Sequence, residues 1–119
     1  MSEASALWLA AGAADDIAEG GQVVVEVGEL SILVVRLDGE FFAVENRCGH
    51  VSSPLAGGRI RRGRIACPLH GAVYDLRTGA SFAGGFAPSG LRTFATRLDA
   101  GEVSVAVQGG IPNVKAWAG

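Results

Sequence analysis

Val23-Val-Val-Glu-Val27, Leu30-Ser-Ile-Leu-Val-Val-Arg-Leu37 and Phe41-Phe-Ala-Val44 are three apolar runs rich in β-branched and aromatic residues. Gly28-Glu29 separates the first two and Asp38-Gly39 the last two, and such turn pairs between strand-forming runs predict a three-strand meander. A second hairpin is predicted downstream, from Leu91–Leu98 and the alternating Val103, Val105 and Val107, joined at Asp99-Ala-Gly101. Brief strands fit Arg59-Ile60, Arg64–Ala66 and Val73-Tyr74 in the Gly- and Arg-rich middle of the chain. The one helical candidate, Ala13–Glu19, is stopped by Gly20-Gly21 within two turns. No helix organises such a fold, and the class expected is all-β.

Composition agrees with that reading. The chain has 119 residues, one domain at roughly 100 to 200 residues each, with no internal repeat or linker. Apolar residues make up 49% and charged residues 18%, so a core forms and disorder driven by charge is excluded. The 18 glycines exceed an average share of roughly 7%, which indicates many turns. A net charge of −2 opposes nucleic-acid binding, which needs a strongly basic surface. Charge is nonetheless uneven. Residues 1–45 hold nine acids against Arg36 alone, and residues 46–119 hold three acids against eight Arg and Lys115.

Before Asp15-Asp16 the uncharged run Ala4–Ala14 lacks a basic flank, so no signal peptide is expected. No apolar run reaches the roughly 18 residues of a membrane span. A soluble, cytoplasmic protein is expected, in a reducing compartment where paired thiols serve as metal ligands rather than disulfides.

All the Cys and His of the chain lie in Cys48-Gly49-His50 and Cys67-Pro68-Leu69-His70, separated by sixteen residues. Two thiolates and two imidazoles suit a structural zinc, although zinc sites usually group cysteines as C-x2–4-C and histidines apart. Here each motif supplies one thiolate and one imidazole. A two-iron cluster with unlike ends needs that arrangement, both thiolates on one iron and both imidazoles on the other. A zinc site, or an apo protein with a Cys48–Cys67 disulfide, remains the alternative.

Cys48-Gly-His50-Val-Ser-Ser-Pro-Leu55 and Cys67-Pro-Leu-His-Gly-Ala-Val-Tyr-Asp-Leu-Arg-Thr-Gly79 resemble the two cluster loops of the Rieske-type ferredoxins that serve aromatic ring-hydroxylating oxygenases. Gly84–Gly90, containing Pro88, sits where that family has a third loop. The resemblance implies stacked antiparallel sheets with an inserted cluster-binding subdomain at about residues 46–90. It also implies one [2Fe-2S] cluster per chain, with Cys48 and Cys67 on the inner iron and His50 and His70 on the outer. Gly49 and Gly71 would let backbone amides approach the bridging sulfides, and Pro68 would stiffen its loop. Phe41, Phe42, Phe82, Phe86 and Phe94 are expected in the core and around the cluster. Respiratory-type members have cysteines where this chain has Val51 and Leu69, so the inter-loop disulfide is absent.

The function implied is one-electron transfer, by a monomer, from an NAD(P)H-dependent flavoprotein reductase to a terminal oxygenase. No nucleophile or acid–base pair marks an enzyme. The small subunit of a nitrite reductase and a zinc-stabilised binding module are the alternatives. Arg59, Arg61, Arg62 and Arg64 lie between the ligand motifs. They are read either as a solvated strand edge or as groups that steer an acidic partner. No role is assigned to the tail after Gln108.

Overall fold

The computed structural model describes residues 6–47, 54–68, 72–81 and 90–108. Cys48, Gly49, His50, His70, Gly71, Phe82 and Phe86 lie outside them, as do Gly84–Ser89 of the third predicted loop and the tail after Gln108. The meander is present as β2 (Gln22–Val27), β3 (Leu30–Leu37) and β4 (Glu40–Glu45). Its registers, Val27↔Leu30 and Leu37↔Glu40, leave two residues for each turn.

β3 lacks polar alternation because both of its faces are covered. Ile32, Leu33, Val34 and Val35 are each 0% exposed. Leu30, Ile32 and Val34 pack with Val103, Val105 and Val107, whereas Leu33 and Val35 pack with Ile65, Tyr74 and Leu76. Side chains alternate across a strand, so two separate cores lie on opposite sides of one sheet. On one side stands the sheet of β1 (Ala6–Ala13), β9 (Thr96–Asp99) and β10 (Glu102–Gln108), in the order β1-β10-β9. On the other is the small sheet of β5 (Arg59–Arg61), β6 (Arg64–Ala66) and β7 (Val73–Asp75). The central sheet gains a fourth strand, β8 (Thr93–Phe94), beside β4.

The expectation of stacked antiparallel sheets holds, two local readings are corrected, and one strand appears that the sequence did not announce. Ala13–Glu19 forms a single 3-10 turn, Ala14–Asp16, in place of a helix. Arg36 Nη1 donates to the carbonyls of Ala14 (3.0 Å) and Ile17 (2.8 Å), and the Ala14 N–H donates to Gly101 O (2.8 Å). Those tertiary bonds tie the backbone at either end of the short turn to β3 and to the β9-β10 hairpin. The alanine-rich Ala6–Ala13 is a strand, recruited by pairing along β10 despite the weak intrinsic β-propensity of alanine. Leu91–Leu98 is divided at Ala95: β8 pairs with β4, and β9 crosses to β10. Phe41 O accepts from Thr96 Oγ1 at 2.8 Å, which ties the crossover to the central sheet.

Turns fix the remaining registers. Asp38-Gly39, Arg62-Gly63 and Ala100-Gly101 all have positive φ at both residues, the geometry of two-residue type I′ hairpins. Alanine in this region costs about 1 kcal/mol or more. Gly79 is required for a different reason. Its φ is +80°, and a Cβ there would lie 2.1 Å from Leu91 O, while Gly79 O accepts from the Leu91 N–H at 2.7 Å. Gly79→Ala is therefore expected to destabilise by about 2–4 kcal/mol, lowering Tm by roughly 10 °C or more. Ala100→Asn should raise stability by about 0.5 kcal/mol, since asparagine tolerates the left-handed region. Thermal denaturation of the two variants checks both signs, and an unchanged Tm for Gly79→Ala would contradict the close approach.

Candidate metal centre

The second ligand motif begins where β6 ends. Ala66 pairs with Val73, so residues 67–72 leave and re-enter the sheet at the same end. Within that excursion the Cys67 N–H donates to Ala72 O at 2.7 Å. Cys67 is 2% exposed and Ala72 3%, and both belong to the core that contains Leu33, Val44, Leu55, Ile65 and Tyr74. A thiol so placed sits at the inner end of its loop. A buried thiol at a loop stem could serve as a metal ligand, which is the role expected of Cys67 from the sequence. Cys48, His50 and His70, the other three expected ligands, lie outside the described residues.

The first ligand loop is closed at its base by Asn46. Its Oδ1 accepts the backbone N–H groups of Leu55 and Ala56, each at 2.9 Å. Its Nδ2 donates to Ser31 Oγ at 3.0 Å, and its own N–H donates to Ser31 O at 2.9 Å. One side chain thus holds both stems of the 47–54 segment and fixes them to β3. Gln22 works in the same way one step further on. Its Nε2 donates to Gly58 O (3.0 Å) and its Oε1 accepts from the Gly57 N–H (2.8 Å), tying β2 to the approach to β5.

Glu45 joins the first loop to the third. Its carboxylate is buried, with Oε1 accepting the Arg92 N–H (2.9 Å) and Oε2 accepting Arg47 Nε (3.2 Å). The Glu45 N–H donates to Arg92 O (2.9 Å), completing a reciprocal pair. Segments 81 and 90, which flank the third predicted loop, are held by the Tyr74–Ser81 bridge and the Leu91–Gly79 bond. Leu55, Cys67, Ala72 and Leu91 share one core cluster. The stems of all three predicted loops therefore converge on the same side of the central sheet.

Sequence reasoning missed Glu45, Asn46 and Gln22. An Asn two residues before a ligand motif carries a faint signal, because Asn side chains replace backbone partners in turns. Gln22 and Glu45 carry none, since the partners that tie them to other segments lie 36 and 47 residues away. Of the expected aromatic residues, Phe94 is buried, with Phe41 packed on its core, and Phe42 packs against the core that holds Cys67.

Comparison with known proteins bears on this site directly. Residues 7–95 match the Rieske [2Fe-2S] domain. Apoptosis-inducing factor 3 of Mus musculus is 41% identical over 64 residues, 54% of this chain but only 11% of that protein's length. The ferredoxin component of biphenyl 2,3-dioxygenase from Rhodococcus jostii is 36% identical over 98 residues, 81% of this chain and 89% of the relative. A ferredoxin solved in complex with the oxygenase of carbazole 1,9a-dioxygenase superposes with a TM-score of 0.80 at 30% identity, covering 88% of this chain and 97% of that one. The match runs through both ligand motifs, the sheets that carry them and nearly the whole length of a small ferredoxin, and the chain therefore belongs to the Rieske [2Fe-2S] domain family, whose cofactor is a single [2Fe-2S] cluster.

Proposed function

We propose that this chain is the electron-carrying ferredoxin of an aromatic-ring-hydroxylating dioxygenase system, passing single electrons from an NAD(P)H-dependent flavoprotein reductase to a terminal oxygenase. The observation that carries this reading is the 36% identity spanning 89% of a dioxygenase ferredoxin component. Likeness to a ferredoxin solved against its oxygenase supports the choice of partner. The cluster supplies reversible one-electron chemistry. Cys48 and Cys67 would hold its inner iron and His50 and His70 its outer iron, within a cluster-binding subdomain of about residues 46–90.

The protein's own residues determine how that group is held. Asn46 and Glu45 fix the stems of the first loop, and Cys67, buried at the base of the second, would hold the cluster away from bulk solvent. A monomer in the cytoplasm agrees with two cysteines used as ligands. No helix among the described residues is long and apolar enough to cross a membrane. A nitrite reductase small subunit from Mycobacterium tuberculosis shares the fold at 22% identity, which reaches no further than the fold.

Ligand replacement tests the assignment. His70→Ala is expected to lose bound iron and the visible absorption of the cluster, and a variant that retained both would disprove it. Asn46→Ala, which removes three side-chain hydrogen bonds at roughly 1 kcal/mol each, should retain all four ligands yet release iron faster under chelator challenge.

Two further substitutions test how the protein sets the reduction potential. By resemblance to respiratory-type members, residues 72 and 74 are where a serine and a tyrosine hydroxyl donate to cluster or ligand sulfur; here they are Ala72 and Tyr74. Tyr74 is 0% exposed, so its hydroxyl is out of reach of bulk water and bonds within the protein. Donors to sulfur stabilise the more negative reduced state and raise the potential. With one donor of the pair absent, the potential should lie low in the family range of roughly −150 to +300 mV. Ala72→Ser is expected to raise it and Tyr74→Phe to lower it, each by about 40 mV for 1 kcal/mol of differential bonding. Film voltammetry that showed no response to either change would refute this account.

A further inference from the structure

The pairing of the small sheet sorts its side chains into two faces. Ile60, Ile65 and Tyr74 are cross-strand neighbours and point toward the core. On the opposite face, Arg59 stands beside Ala66 and Val73, and Arg61 beside Arg64 and Asp75. Arg62 occupies the hairpin turn, at φ 53°. Arg59, Arg61, Arg62 and Arg64 are exposed, and with Ala66 and Val73 they line an open groove of about 500 Å³.

Protection of a sheet edge does not account for this arrangement. Arg64 is on the central strand of the three, not on an edge. Arg61 and Arg64 are directly opposed, with Asp75 on the other side of Arg64, so the arginines are gathered on one face rather than spread along an edge. Asp75 is the one acid of the face, and its Oδ1 accepts the Arg77 and Thr78 N–H groups of the following turn. The face is thus a local concentration of positive charge on a chain whose net charge is −2.

We propose that the outer face of β5-β6-β7 is a docking surface for an acidic patch on a partner protein, with arginines at its rim and Ala66 and Val73 as its apolar floor. Taking that partner to be the electron donor or acceptor rests on the carrier reading above. Ala66 immediately precedes Cys67 and the Ala72 carbonyl closes the same loop, so a protein seated here lies against the hairpin that bears the second ligand motif. A folded acidic patch suits the charge distribution better than a nucleic acid does. The acids concentrated in residues 1–45 would repel an extended polyanion, while a compact patch meets only the arginine face. A second copy of this chain suits it less well. Basic face against acidic face is a heterologous contact, which forms open chains unless the rotation happens to close.

The test uses the whole 119-residue chain after cluster loading and, as the acidic probe, a fluorescein-labelled tetraglutamate peptide, short enough to meet only the arginine face, followed by fluorescence anisotropy. Binding is expected at about 20 mM salt and should be largely lost at about 300 mM as the Debye length shortens. The double variant R61Q/R62Q should bind roughly tenfold more weakly. R97Q, on the opposite sheet, where Arg97 lies 4.2 Å from the Trp8 ring centroid, should bind as the unaltered protein does. Equal weakening by R97Q, no effect of R61Q/R62Q, or salt-independent binding would overturn the proposal. So would tighter, arginine-dependent binding of a duplex oligonucleotide, displacement of the peptide by equimolar inorganic phosphate, or concentration-dependent self-association abolished by R61Q/R62Q. Iron content and visible absorption are measured on every sample. A protein that binds the peptide as expected but holds no cluster would refute the carrier reading and leave the docking surface standing, whereas an intact cluster with arginine-independent binding would do the reverse.

Discussion

The rest of the structure depends on β3 being buried on both faces. A strand with Ile32, Leu33, Val34 and Val35 all at 0% exposure must be covered twice, and here a sheet lies on each side. Each covering sheet then has a different task. The β1-β10-β9 layer buries Val103, Val105 and Val107 and contains neither ligand motif. The β5-β6-β7 layer buries Ile65 and Tyr74 and delivers Cys67 to the edge of the same core. At about 25 cal/mol per Å² of apolar surface, hydrophobic burial is the largest favourable term here. Its direction, however, is set by a strand with no polar side to offer solvent.

Hydrophobic packing brings the loop stems together, but it does not fix them in register. That task falls to polar side chains whose partners are distant in sequence. Gln22 reaches the Gly57-Gly58 backbone, Asn46 holds Leu55 and Ala56, and Glu45 holds Arg92. Each bond contributes only about 1 kcal/mol net, so their value is geometric. Leaving any of these partly buried groups unpaired would cost more than the bond contributes, and this restricts the stems to one arrangement. A metal-binding loop needs that restriction, because its ligands must be in place before the group is held.

Much of this was legible in the sequence, for identifiable reasons. The meander and the β9-β10 hairpin were visible because β-branched runs meet short turns containing Gly, and the three short strands because brief apolar stretches interrupt the Gly- and Arg-rich middle of the chain. Candidate ligands could be named because Cys48, His50, Cys67 and His70 exhaust their residue types, and of these the structure describes Cys67 alone. β1 was not, since Ala6–Ala13 becomes a strand only through β10. The division of Leu91–Leu98 was hidden because Ala95 resembles its neighbours, and only the two competing partner strands break the run there. Glu45 and Gln22 were silent because a hydrogen bond across tens of residues leaves no local pattern, and Asn46 gave only the faint signal of an Asn just before a ligand motif.

The two cores also differ in what they can transmit. Cys67, Ala72 and Tyr74 share their core with Leu33, Val35 and Val44 of the central sheet, while Ile32, Val34 and Ala43 face the other way. Protein interiors are close-packed and pass strain on to neighbours in contact. A change at the ligand loops therefore acts first on the side chains of β3 and β4 that face the small sheet. It reaches the β1-β10-β9 layer only by moving the backbone of β3, which is hydrogen-bonded to β2 and β4 along its length. The central sheet thus separates a layer that contains neither ligand motif from the layer whose core includes Cys67, so a change in packing beside Cys67 need not alter the packing of the first.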